Sequence, residues 1–141
     1  VREMSVVPGA AARRVETPNG VMTTLASPTQ GAAGQAVWRV DARPGMAGPS
    51  HAFDTEVVWT WLDGAAVVEL GGERYEVGAG DTMVLPAEVS RRMFADPERG
   101  FVSIVAAPAG ARVYNPGGVP EPDACDLAPK GAERLVPPWV R

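Results

Sequence analysis

The chain has 141 residues, 45% of them apolar and 21% charged, with a formal net charge of −4. A chain of this length makes one domain that buries about 70% of the surface its unfolded form exposes, so disorder throughout is excluded. The acidic balance speaks against nucleic acid or an anionic membrane surface as a partner, because both demand a basic face.

The single cysteine, Cys125, allows no intramolecular disulfide and receives no role. No apolar run reaches membrane-spanning length and the N-terminus carries no signal-peptide core, so a cytoplasmic protein is expected. Sixteen glycines and fourteen prolines favour many short strands and turns over helices.

Residues 1–20 read as an N-terminal arm. Val6-Val7 fits a short edge strand, Ala10–Val15 makes one helical turn at most, and Pro18-Asn19-Gly20 is a turn. Residues 21–114 read as a barrel. Val21–Ala26 and Gln35–Asp41 are strands, the second with Ala36, Trp38 and Val40 on one face. A Pro/Gly loop then delivers the chain to His51, the only histidine.

Val57–Leu62 is the most β-prone segment, with Trp59 and Trp61 two apart and so on the same face. Ala65–Leu70, Glu73–Val77 and Asp81–Leu85 follow as strands. Asp63-Gly64 and Gly71-Gly72 supply the positive φ that two-residue hairpin turns need, and a corner at Gly78–Asp81 closes the series. The carboxylate of Asp81 is expected to cap the turn that follows Gly80. Arg91–Ala95, Phe101–Ala107 and Ala111–Tyr114 complete the strands. Spacing this short and even predicts an all-β sandwich or barrel. Residues 115–141 form a Pro/Gly-rich tail. Its Trp139 suggests that it packs on the barrel or on a partner subunit.

The residues from Arg43 to Ala107 resemble the cupin family. The family's first motif runs from a glycine through His-x-His and a Glu or Gln to a closing glycine; Gly48, His51, Phe53, Val57 and Gly64 stand at those places. The second motif, Gly-Asp followed by Pro-x-Gly and a His, is matched by Gly80-Asp81, Pro86, Glu88 and Arg91. The resemblance implies a double-stranded β-helix, or jelly-roll barrel, usually a homodimer. Metal-binding cupins draw ligands from both histidines of the first motif, its Glu or Gln, and the His of the second. Here only His51 remains among them. Phenyl and isopropyl groups cannot ligate, and a guanidinium repels a cation. Asp54 and Glu56 fall on the opposite strand face unless a bulge intervenes. No metal and no other cofactor is therefore expected.

If the ligand positions line the lumen, then by parity so do Trp59 and Trp61, with Met83, Leu85 and Met93. His51 and Arg91 are the candidate catalytic residues, the first as acid/base and the second as oxyanion partner. Phe53, Val57, Trp59, Trp61, Met83, Leu85 and Met93 are the candidate substrate contacts. Structural alternatives stand beside these. His51 can be a hydrogen-bonded structural residue, Arg91 can pair with Glu88 or Asp54, and Trp59 and Trp61 can simply fill the barrel. Met22 and Met46 need only packing roles.

The functional expectation is a metal-independent barrel acting by proton transfer on a small apolar molecule with an anionic or enolisable group. Isomerase, epimerase and cyclase reactions, as in secondary-metabolite biosynthesis, fit that description. A non-catalytic small-molecule-binding barrel and a metal-dependent oxygenase with atypical ligands are the alternatives.

Overall fold

A single long strand, β5, joins the two halves of the molecule. In the computed structural model, which describes residues 6–116 and 133–141, Val57–Leu70 is one uninterrupted strand. Its buried residues are Val57, Trp59 and Trp61, and then Gly64, Ala66 and Val68. The parity of burial changes between Trp61 and Gly64 because the pairing register shifts between Trp61 and Asp63, a bulge. One extra residue turns the following side chains to the opposite face, so both halves of the strand bury an apolar row.

The expected hairpin at Asp63-Gly64 is therefore corrected. Gly64 does have a positive φ, 76°, but it serves a close approach within a continuous strand. A Cβ there would lie 2.1 Å from the carbonyl oxygen of Gly100. Asp63 Oδ1 accepts the Gly64 N–H at 2.9 Å and so holds the bulge. Gly71-Gly72 does make the expected hairpin, with φ of 58° and 88° and Leu70 opposite Glu73.

The other strands are β1 (Arg13–Thr17), β2 (Gly20–Ala26), β3 (Gln35–Ala42), β4 (Ala52–Phe53) and β6 (Glu73–Gly78), followed by β7 (Thr82–Leu85), β8 (Arg91–Ala95), β9 (Phe101–Pro108) and β10 (Val113–Tyr114). All pair antiparallel. β1, β2, β3 and β9 lie side by side and lead to β5, whose first half also takes β7 and whose second half takes β6 and β8. β4 and β10 form a separate pair. Among the described residues the only helical turn is Gly9–Ala11, and no helix is long and apolar enough to cross a membrane.

Two expectations about the N-terminal stretch are revised. Val6-Val7 is not a strand, whereas Arg13–Thr17, within the stretch read as an arm, pairs with β2 along its whole length. β3 buries Ala36, Trp38, Val40 and Ala42 in strict alternation, as its sequence requires. At the Gly78–Asp81 corner, Asp81 Oδ2 accepts the Gly78 N–H at 2.8 Å.

The core is a slab of rings. Trp59 and Trp61 stack at 5.7 Å, and Phe101 meets their edges at 6.2 and 6.0 Å. Such offset and edge-on contacts follow the ring quadrupole. The described end of the C-terminal stretch lies on the barrel. Leu135 and Val113 exchange backbone hydrogen bonds of 2.8 and 3.1 Å, and Val140 is fully buried. Cys125 and residues 117–132 of the C-terminal stretch lie outside the described residues.

Candidate functional site

Two short backbone segments create the site. His51 and Arg91 are paired across an antiparallel bridge, with the His51 N–H donating to the Arg91 carbonyl at 2.9 Å and the Arg91 N–H to that of His51 at 2.7 Å. Arg91 begins β8, and His51 precedes β4. The turn before β8 carries Glu88 at a φ of 65°, the left-handed conformation that the second cupin motif assigns to glycine. Its carboxylate is held outside the barrel by Tyr114 Oη at 2.5 Å and Arg134 Nη1 at 2.9 Å.

Both side chains line a cavity of about 100 Å³. Trp38, Phe53, Trp59 and Trp139 provide its aromatic wall, and Met22, Met46 and Met93 fill in between. Polar additions come from Thr17 and Asn19. A mostly apolar hollow with a few polar groups is the usual form of a small-molecule site.

The charge inside it is unusual. The Arg91 guanidinium sits 5.6 Å from the Phe53 ring centroid and 6.0 Å from that of Trp59. No carboxylate among the described residues pairs with it. The two partners that the sequence offers are engaged elsewhere: Asp54 with Arg112 at 2.9 Å, and Glu88 with Arg134 at 2.9 Å. Burial lowers the Arg91 pKa from its ordinary 12.5 to about 10, which still leaves it charged at neutral pH.

The imidazole is held on one side. His51 Nδ1 lies 2.6 Å from Oδ1 of Asn115, which is completely buried. An amide oxygen only accepts, so Nδ1 carries the proton and Nε2 keeps its lone pair. Burial, and then the nearby Arg91 charge, push the His51 pKa down to about 3, against the opposing pull of the Asn115 bond. At neutral pH the site thus holds a neutral imidazole beside a guanidinium.

Of the sequence-derived contacts, the cavity is lined by His51, Arg91, Phe53, Trp59 and Met93. Val57, Trp61, Met83 and Leu85 are not in its lining, which corrects their assignment. Val57, Trp61 and Leu85 are core residues and Met83 packs against the core. Several residues went unrecognised. Met22 and Met46 line the cavity rather than merely filling space, Trp38 contributes from β3, and Asn115 and Trp139 come from the stretch read as a tail.

The residues do not fit a metal of the kind cupins hold. The family's other ligand positions are occupied by Phe53, Val57 and Arg91, and among the described residues no three His, Cys, Asp or Glu side chains converge.

No protein-family model and no curated protein matches the sequence. Solved structures do match in shape. The polyketide cyclase RemF from Streptomyces resistomycificus superposes with a TM-score of 0.72 at 20% identity, over 85% of this chain and 90% of that one. An RmlC-like cupin from Shewanella frigidimarina gives 0.62 at 18%, over 76% and 93%. Pac13, a nucleoside dehydratase from Streptomyces, gives 0.60 at 17%, over 74% and 82%. At such identities it is the fold that is shared. A barrel that closes through a bulged central strand, opens its cavity beside His51 and Arg91, and superposes on these proteins has the fold of a small single-domain cupin.

Proposed function

We propose that the protein acts by proton transfer on a small apolar molecule bearing an anionic or enolisable group, without a metal. The observation that carries this reading is the Arg91 guanidinium, paired with no carboxylate among the described residues, in the same aromatic cavity as a neutral imidazole whose tautomer is fixed. A charge at low dielectric with no counterion is a strong attractor for a carboxylate or enolate oxygen. His51 Nε2, free to accept, takes a proton from the carbon next to a carbonyl. The electron pair of that C–H bond moves onto the oxygen held by Arg91.

Return of the proton to another carbon gives isomerisation or epimerisation. Attack of the enolate carbon on a carbonyl of the same molecule gives cyclisation. A pKa of about 3 makes the imidazole a weak base in the empty cavity. An anion on Arg91 offsets the repulsion that, after burial, lowers it, so binding removes the smaller of the two causes and strengthens the base in part. The fold shared with a polyketide cyclase and a nucleoside dehydratase is compatible with enolate chemistry.

Phenylpyruvate, an enolisable acid, tests the reading. The native protein is expected to accelerate exchange of its methylene protons in D2O, followed by NMR. His51→Ala is expected to lose the acceleration while still binding, and Arg91→Ala to lose binding. A native protein that binds phenylpyruvate without accelerating exchange favours the non-catalytic alternative.

A further inference from the structure

The barrel alone does not finish the cavity. One wall, the indole of Trp139, comes from residues 133–141. That segment is fastened on both sides of the indole. Upstream, Leu135 is bridged to Val113 and Pro137 is fully buried. At Trp139 itself, the buried Thr24 hydroxyl donates to the main-chain carbonyl at 2.9 Å. Downstream, Val140 is fully buried, and the Arg141 carbonyl accepts from Arg13 at 2.6 Å, Thr29 at 2.7 Å and Ser27. Main chain fixed this closely makes the ring a set boundary, unlike the unbranched, adaptable thioethers of Met22, Met46 and Met93.

The space left is small. An apolar cavity of about 150 Å³ accommodates benzene, and this one, only partly enclosed, holds about 100 Å³ beside a guanidinium. The room is that of one ring at most, with its charged group toward the open side.

We infer that Trp139 is the specificity-determining wall of the cavity, restricting it to single-ring aromatic anions whose charged group meets Arg91. This rests on the reading of the cavity as an anion-binding small-molecule site. Trp38, Phe53 and Trp59 stand on β3, β4 and β5, apart from the segment that carries Trp139. Removal of its indole therefore opens space for a second fused ring without dismantling the anion-binding end.

Calorimetric titration of the full chain with benzoate, 2-naphthoate and anthracene-2-carboxylate tests the inference. The native protein is expected to favour benzoate over 2-naphthoate by about tenfold or more, the scale on which a shaped apolar pocket discriminates. Trp139→Ala is expected to reverse that order, and Trp139→Phe to keep it. An unchanged order in Trp139→Ala, or a native protein that binds the larger acids as well as benzoate or binds none of the three, overturns the inference. If Trp139→Ala does not fold, Trp139→Leu serves in its place, with a shift toward 2-naphthoate supporting the assignment and an unshifted order overturning it. Benzamide and 2-naphthamide separate the two readings. Equal binding of benzamide and benzoate overturns the anion reading, while the size order among the amides still reports on Trp139.

Discussion

His51 and Arg91 exchange backbone hydrogen bonds in both directions, 2.9 and 2.7 Å, and no carboxylate among the described residues balances either side chain. A strand bridge fixes two cation-forming groups side by side, where burial first and the neighbouring charge second disfavour a second cation. The imidazole yields, because it costs less to discharge than a guanidinium.

The tautomer is open to direct measurement, because His51 is the only histidine in the sequence. Nitrogen-15 NMR is expected to show one imidazole protonated at Nδ1, neutral from pH 7 down to about pH 4, given its pKa of about 3. Asn115→Asp puts a carboxylate where the amide oxygen stands, and is expected to raise the His51 pKa. Titration near 6.5 in the native protein would contradict the burial described.

The same depression gives stability a pH dependence. The unfolded histidine takes up its proton near pH 6.5, whereas the folded one waits until about pH 3. Between those values the unfolded state binds more protons, so stability falls as pH falls through the window. This contribution is fully present above pH 6.5. Denaturant unfolding at several pH values is expected to show a loss of about 1.4 kcal/mol per pH unit at most from this group, and His51→Gln is expected to remove that component.

Two glycines with positive φ separate conformation from space. At Gly72, φ is 88° and nothing lies within 4 Å of an added Cβ, so Gly72→Ala is expected to cost about 1 kcal/mol. At Gly64 the added Cβ would meet the Gly100 carbonyl oxygen at 2.1 Å. Gly64→Ala is expected to cost more than about 2 kcal/mol in urea unfolding. Equal costs would mean that the bulge yields.

Glu88 tests the left-handed turn before β8. Glu88→Ala and Glu88→Gly both lose the Tyr114 and Arg134 contacts, but only glycine is at ease at a φ of 65°. Equilibrium unfolding is expected to find the glycine variant the more stable of the two by about 1 kcal/mol. The reverse order would assign no strain to that position.

Much of this was legible in the chain. The alternation of Ala36, Trp38 and Val40, the Gly71-Gly72 hairpin and the Gly78–Asp81 corner were readable because they depend on local backbone preference and strand period. The Asp63-Gly64 pair misled because the same dipeptide satisfies a turn and a bulge alike. Only the carbonyl of Gly100, far along the chain, decides between them. Parity then placed Trp61 with Trp59 in the lumen, although a cavity occupies only part of a strand's inner face. Asn115 and Trp139 left no periodic signal, since their positions depend on where residues after β10 return to the barrel.

Arg91 decides the account. Its lowered pKa reflects a charge held at a net cost, on the order of 3 kcal/mol. A residue kept for ligand binding at the expense of stability should reveal both sides of that exchange at once. The measurement is the melting temperature of native protein and Arg91→Met, with and without benzoate. The account predicts a variant that melts higher than native and gains nothing from benzoate, while the native protein is raised by it. A variant that melts lower yet is still raised by benzoate as the native protein is would make Arg91 a structural residue and end the proposed chemistry.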